Sequence, residues 1–242
     1  MNRFVLLLTL LITSTAGADL IQDAIDHPGR PSSDREDDDR RKPVEAMAFS
    51  GVAAGEIVIE IGAGRGYTTE LTARMVGAGG KVFAHRLDPA RLLGNRLPNV
   101  IPVPAQPADL GERFEAVNIE RGRVDRVLAF FSLHDGYLSD ENDMQLLYRT
   151  LLDFLKSDGE LVVMDNTAPA DSGLEFTAAV HRIDPEFLKN DILKAGFEFV
   201  GDSDILRNPD DDLESSWFED TATRAAGYQD RFCFRFRKPE AD

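Results

Sequence analysis

Residues 57–66 read Ile-Val-Ile-Glu-Ile-Gly-Ala-Gly-Arg-Gly, and no other segment restricts the fold as much. Ile57, Val58, Ile59 and Ile61 supply the β-branched run of a strand buried on both faces. Gly62, Gly64 and Gly66 follow in G-x-G-x-G spacing, which lets the chain turn tightly and bring its backbone against a ligand with no Cβ between. Tyr67 to Met75 then has helical spacing, so the loop feeds a helix N-terminus whose first N–H groups lack intrahelical acceptors. A purely structural strand-to-helix turn needs one or two glycines. Three of them, beside the strand-end carboxylate of Glu60, point to a cofactor cradle.

From residue 57 onward, strand and helix patterns alternate, the mark of a mostly parallel sheet covered on both faces. Strands are expected at 57–61, 81–85, 99–103, 124–131, 160–165, 197–201 and 231–237, with helices near 67–76, 89–95, 109–117, 140–155 and 184–195. Residues 19–56 read as a helical extension, with Ser33 as a helix cap and Pro43 opening a helix over 44–49 that Gly51 ends. With no repeat and no low-complexity linker, 57–242 is expected to form one domain. Two irregular stretches, 166–183 and 203–230, are long for a compact α/β domain, where such loops are site walls or lids. Trp217 and Phe218 give the second loop an apolar contact, read as a tack to the core.

A formal charge of -16 argues against a nucleic-acid partner, because phosphate binding needs a basic face. Residues 1–18 are a separate object. Asn2 and Arg3 precede the apolar run Phe4–Ile12, and Ala16-Gly17-Ala18 fits a small-x-small cleavage rule. The expectation is a secretory signal cleaved after Ala18, a periplasmic or secreted mature chain, and no stable membrane insertion. Cys233, the sole cysteine, permits no intrachain disulfide and reads as strand packing.

The dinucleotide fingerprint needs its third glycine one residue later than Gly66, which disfavours an NAD-dependent oxidoreductase. The spacing seen here, with an acid two residues before the first glycine, resembles the first motif of class I S-adenosylmethionine-dependent methyltransferases. Val52–Glu56 resembles the approach to that motif, 99–109 the third-strand region, Leu152–Asp165 the helix, turn and fifth strand, and Phe232–Pro239 the antiparallel seventh strand. The nearest likeness is to exported bacterial predicted methyltransferases, through His134-Asp135, His181-Arg182-Ile183-Asp184 and Leu206-Arg207-Asn208-Pro209. The resemblance implies a Rossmann-like fold with S-adenosyl-L-methionine as cofactor. It places Glu60, Gly62, Ala63, Gly64, Gly66 and Tyr67 around the methionine end, with Tyr67 also near the cationic sulfonium. The acid expected at the end of the second strand is replaced by Arg86, with Asp88 as the substitute ribose contact, and Gln106 takes the adenine position.

Methyl transfer needs proximity, alignment and, for a weak nucleophile, a base. His134 and Asp135 end the fourth strand at the lip where an acceptor approaches, and a histidine there is expected to titrate near neutrality. A structural histidine in a strand-to-helix loop is the plainer alternative. His181 joins His134 and Asp135 as a catalytic candidate, and Asn166 and Arg182 are candidate substrate contacts. The four histidines show no H-x-x-x-H or cysteine pairing; no spacing demands a metal, and none is expected. The sequence thus points to a methyltransferase acting on a small molecule or an exported protein. The alternative is a non-catalytic exported protein of the same fold that binds S-adenosylmethionine or a related nucleoside.

Overall fold

A computed structural model of the chain describes residues 12–104, 109–216 and 228–239. Four helices come first: α1 (Ile12–Asp26), α2 (Ser32–Glu36), α3 (Asp38–Arg41) and α4 (Pro43–Ser50). The alternating part follows as β1 (Ile57–Glu60), α5 (Tyr67–Val76), β2 (Lys81–His85), a kinked 3-10 turn (Pro89–Asn95), β3 (Val100–Val103), α6 (Leu110–Ala116) and β4 (Val124–Phe130). It continues through α7 (Leu133–Gly136), α8 (Met144–Phe154), β5 (Leu155–Asn166), α9 (Thr177–Val180), α10 (Pro185–Lys194), β6 (Glu198–Ser203) and β7 (Arg231–Arg237).

The seven strands form one sheet in the order β3-β2-β1-β4-β5-β7-β6. All run parallel except β7, which is antiparallel to both of its neighbours. Strand order reverses between β1 and β4, where Val58 pairs with Val82 on one side and Arg126 on the other. Loops leaving the carboxyl ends of these two strands diverge to opposite faces and open a crevice, the usual ligand position in such sheets. Alternation along β1 sends Val58 and Ile59 to different cores. Ile59 joins Phe114, Tyr148, Phe154 and Phe236 beneath α6, α8 and α10. Val58 joins Leu71 and Met75 of α5, with Ile21, Ala24 and Met47 of the N-terminal helices. The extension therefore closes one face of the sheet.

Three local expectations need correction. Ser33 lies inside α2, whose N-cap is Pro31 with no side-chain capping bond. The expected helix over 140–155 begins at Met144, because Asp143 supplies the cap by accepting from the Leu146 amide at 2.8 Å. The turn expected at Ser157-Asp158 is a bulge within β5: Leu155 pairs with Val124 and Glu160 with Arg126, so Lys156–Gly159 leave the ladder. Gln106, Trp217 and Phe218 lie outside the described residues.

Candidate functional site

The glycine loop is tied on three sides. Ala63 donates its amide to the His85 carbonyl at 2.8 Å, and Asp88 donates its amide to the Gly64 carbonyl at 2.8 Å. Ser132 donates its hydroxyl to the Ile61 carbonyl at 2.7 Å. All three glycines adopt left-handed φ, at 70°, 53° and 78° for Gly62, Gly64 and Gly66. Their surroundings differ. A Cβ on Gly62 would meet the Ser132 Cβ at 2.3 Å, and one on Gly66 the Leu87 side chain at 2.7 Å. A Cβ on Gly64 would find nothing nearer than the Gly62 carbonyl at 3.9 Å. Gly62 and Gly66 are packing glycines, whereas Gly64 faces space. That space is an open cavity of 580 Å³, lined by Gly64, Arg86, Leu87, Asp88, Pro104, Asp109 and Arg113.

Glu60 sits at the root of the loop, almost wholly buried. The Thr69 hydroxyl of α5 donates to its Oε2 at 2.6 Å, and among the described residues no cation forms a salt bridge with it. Burial pushes its carboxyl up to about 7, despite the Thr69 hydrogen bond and the more distant Arg91 and Arg41. Asp88 lines the cavity and also caps the 3-10 turn, accepting from the Ala90 amide at 2.9 Å. Arg86, at the position expected for a ribose-binding acid, has φ 58° and lines the same cavity. Tyr67 turns toward the extension: its hydroxyl donates to Asp38 at 2.5 Å, and its ring is flanked by Arg41 and Arg30 at 4.6 and 5.5 Å. Arginines already occupy the cation-attracting ring, so its expected place beside a sulfonium is corrected to one in the wall behind the loop.

Across the crevice, Phe131 adopts φ 56°, ends β4 and swings the chain into α7. This brings His134 against the end of β5, where its Nδ1 lies 2.7 Å from Asp165 Oδ1 and its amide donates to Asp165 Oδ2 at 3.2 Å. The other ring nitrogen, Nε2, is 3.3 Å from Asp135 Oδ1, and His181 Nδ1 reaches the same oxygen at 3.4 Å. His134, Asp135 and His181, separate candidates in the sequence, thus converge. Burial works against an imidazolium at His134, but Asp165 and then Asp135 outweigh it and raise the pKa to about 10. The expectation that His134 titrates near neutrality is corrected: between two carboxylates it holds its proton at pH 7, which removes it as a ready general base. Burial also opposes ionisation of Asp135, yet His134 and His181 hold its carboxyl below the usual range.

Asn166 donates its side-chain amide to the His181 carbonyl at 3.1 Å, so it positions that residue. Arg182 is not a substrate contact in this arrangement. Its guanidinium is fully buried, pairs with Asp211 at 2.7 and 2.9 Å, and donates to the carbonyls of Thr167 and Ser215. It clasps the loop after β5 to the segment after β6. Burial pushes the Cys233 thiol up to about 12, in keeping with strand packing.

Asp165, which the sequence places beside Asn166 at the carboxyl edge of the fifth strand, and Arg231, absent from the sequence-based candidates, complete the site. Asp165 ends a strand whose four preceding residues, Leu161 to Met164, are wholly buried, and that context was its signal. Arg231 opens β7 opposite Asn166, is 2 % exposed, and lies over the Phe131 and Tyr228 rings at 4.8 and 5.5 Å. Among the described residues its Nε and Nη1 have no hydrogen-bond partner, and burial followed by Arg40 and Arg41 lowers its pKa to about 9. Nothing in its alternating strand distinguishes it from Arg235.

No protein-family model and no curated protein sequence matches the chain. Solved structures do. An S-adenosylmethionine-dependent methyltransferase from Aquifex aeolicus superposes with TM-score 0.58 at 15% identity, over 86% of this chain and 98% of that one. A Burkholderia thailandensis 1,6-didemethyltoxoflavin-N1-methyltransferase, solved with its substrate and S-adenosylhomocysteine, gives TM-score 0.56 at 17% identity over 99% and 94%. An arsenic(III) S-adenosylmethionine methyltransferase from Chlamydomonas reinhardtii gives 0.57 at 14% over 92% and 74%. The fold is the Rossmann-like fold of these enzymes: a seven-stranded sheet with its last strand antiparallel and helices on both faces.

Proposed function

We propose that the protein is a methyltransferase that binds S-adenosyl-L-methionine at the carboxyl ends of β1 and β2 and methylates an acceptor held beside α7 and α9. One observation carries the reading. At the crevice where strand order reverses, a side-chain-free wall at Gly64 faces an open cavity, next to a buried carboxylate at Glu60 that has no salt-bridge partner among the described residues. Those features fit a ligand with an α-ammonium and a ribose. Glu60 and the Gly62–Gly66 backbone would hold the methionine end, and Asp88 the ribose. Bound there, the cofactor supplies an electrophilic methyl group on a sulfonium.

The chain's own groups do the rest. Asp135 and His181, with side chains 47% and 42% exposed, are the polar groups that an acceptor meets at the lip. Asp135, held ionised by its histidine neighbours, is the group placed to accept a hydrogen bond from an acceptor hydroxyl or amine and orient it. Asp165 and His134 fix Asp135 from behind.

The acceptor is a small molecule or an exported protein. Export rests on the sequence of residues 1–18, which lie largely outside the described residues. No helix among the described residues is long and apolar enough to cross a membrane. Secretion of a reporter fused to residues 1–25 is the check on export.

Calorimetric titration with S-adenosylmethionine and S-adenosylhomocysteine tests the main reading. Micromolar binding that disappears in Gly64→Arg is expected, and failure of both ligands to bind removes it. A second reading, binding without transfer, is favoured by Arg86 at the ribose wall. It gains if both ligands bind but no labelled methyl group reaches any acceptor pool.

A further inference from the structure

We propose that His134, Asp135 and His181 form a binding site for a single divalent transition-metal ion of the zinc class. Residues 134 and 181 are far apart in sequence, but the loop after β5 folds back so that both imidazoles approach one carboxylate. The three donor atoms all lie within 4.8 Å of one another. Two of the three donor–donor edges, both at Asp135 Oδ1, measure 3.3 and 3.4 Å. They are long for charge-assisted hydrogen bonds, which run at about 2.7–2.9 Å. They match the ligand-to-ligand edge of a tetrahedron, about 3.4 Å for metal bonds of about 2.0–2.1 Å. His134 and Asp165, by contrast, make an ordinary short bond at 2.7 Å.

That short bond is the second observation. Metal-binding histidines usually donate their other ring nitrogen to a carboxylate, which fixes the tautomer and aims the ligating lone pair. Asp165 does this at Nδ1, leaving Nε2 directed at Asp135 and His181, and a bound metal ion displaces the Nε2 proton to solvent. Asp165 is itself held by the amides of His134 and Asn166, at 3.2 and 2.9 Å. On the opposite side, the Asn166 side chain holds the His181 carbonyl, and His181 takes a left-handed φ of 56° at the end of α9.

Donor chemistry sets the class of ion. Two imidazoles with one carboxylate suit zinc, cobalt or iron, whereas magnesium and calcium prefer all-oxygen shells. Three protein ligands leave a fourth position open, the pattern of a catalytic site. Because Asp135 and His181 are both half-exposed, that position faces solvent and is taken by water or by an oxygen or nitrogen atom of a ligand. On the methyl-transfer reading, this atom belongs to the acceptor. Metal binding itself does not depend on that reading.

The full chain, stripped with a chelator, is titrated with Co²⁺ in the absence of cofactor and followed by visible absorption. One equivalent should develop tetrahedral d–d bands that Zn²⁺ displaces and excess Mg²⁺ does not. His181→Ala, at a half-exposed position, should keep the thermal melt of the parent and lose the bands. Asp165→Asn should weaken binding by about 10- to 100-fold, as expected for an outer-shell partner. His27→Ala should change nothing. Absence of the bands, bands that survive in His181→Ala, or displacement by Mg²⁺ as readily as by Zn²⁺ overturns the proposal. S-adenosylmethionine titration of the same metal-free sample reports separately on the methyl-transfer reading.

Discussion

The two walls of the crevice are built by opposite means. On the β1 side the wall is backbone: Gly62 to Gly66, tied by main-chain bonds to His85 and Asp88, with one buried acid, Glu60, whose charge has no close partner. On the β4–β5 side the wall is side chain: His134 and Asp135 from α7, Asp165 from the end of β5 and His181 from the end of α9, with the buried histidine charge flanked by two carboxylates. A carboxylate thus plays reversed parts. Asp165 is paired with a histidine and two amides, whereas Glu60 has only the Thr69 hydroxyl as a close side-chain partner among the described residues.

The largest effect that would break this contrast is at Asp165. Asp165→Ala should cost about 3–5 kcal/mol, because it strands a buried imidazolium and two amides, and a urea midpoint measures it. Next come the glycines. Gly64→Ala and Gly62→Ala share a left-handed backbone cost of about 1–2 kcal/mol. Gly62→Ala should be worse by a measurable margin, because its Cβ runs into Ser132. Equal losses would mean that Ser132 yields freely.

Glu60 gives a smaller effect of opposite sign. Its folded pKa of about 7 lies above its ordinary value of 4.5, so the folded, ligand-free protein binds the extra proton. Its stabilising contribution is complete below pH 4.5 and is lost as pH rises through 7. Glu60→Gln should therefore flatten the stability profile between those limits and stabilise the ligand-free protein above them. Cofactor binding should show the reverse, tightening as pH rises from 6 to 8 in the parent and staying flat in Glu60→Gln. A parent affinity that does not move with pH would sink the assignment of Glu60 to the ammonium. Smallest of all, His181→Ala should shift stability by no more than about 0.5 kcal/mol, since its ring is half-exposed.

The same contrast explains what the sequence disclosed. β1 and its loop were legible because every part lies within ten residues and each glycine has a local backbone reason. β2, β3 and β4 were legible to within a residue or so because buried strands carry apolar runs, and β7 through the alternation of Phe and Cys with Arg. β5 was the exception, because its early start at Leu155 depends on pairing with Val124, which the local pattern does not encode. His134, Asp135 and His181 were legible as individual candidates, but their meeting was not, since spacing says nothing about a fold-back over the β5 edge. Arg182 was misread for a related reason: its partner Asp211 lies on a different loop. Asp165 was legible as an acid at the carboxyl edge of the fifth strand, but its bond to His134 was not, because that bond depends on the turn at Phe131.

The placement of β7 between β5 and β6 bears on how the chain reaches this state. β5 and β6 are complete well before residues 231–237 have been synthesised, yet neither can pair with the other. Until β7 arrives, the growing chain carries two open strand edges, one of them ending beside the acceptor wall. Pairings of such long sequence separation close slowly, and open edges invite association between chains. Refolding yield should therefore fall with protein concentration, and a peptide spanning 228–239, added in excess, should compete for the same slot.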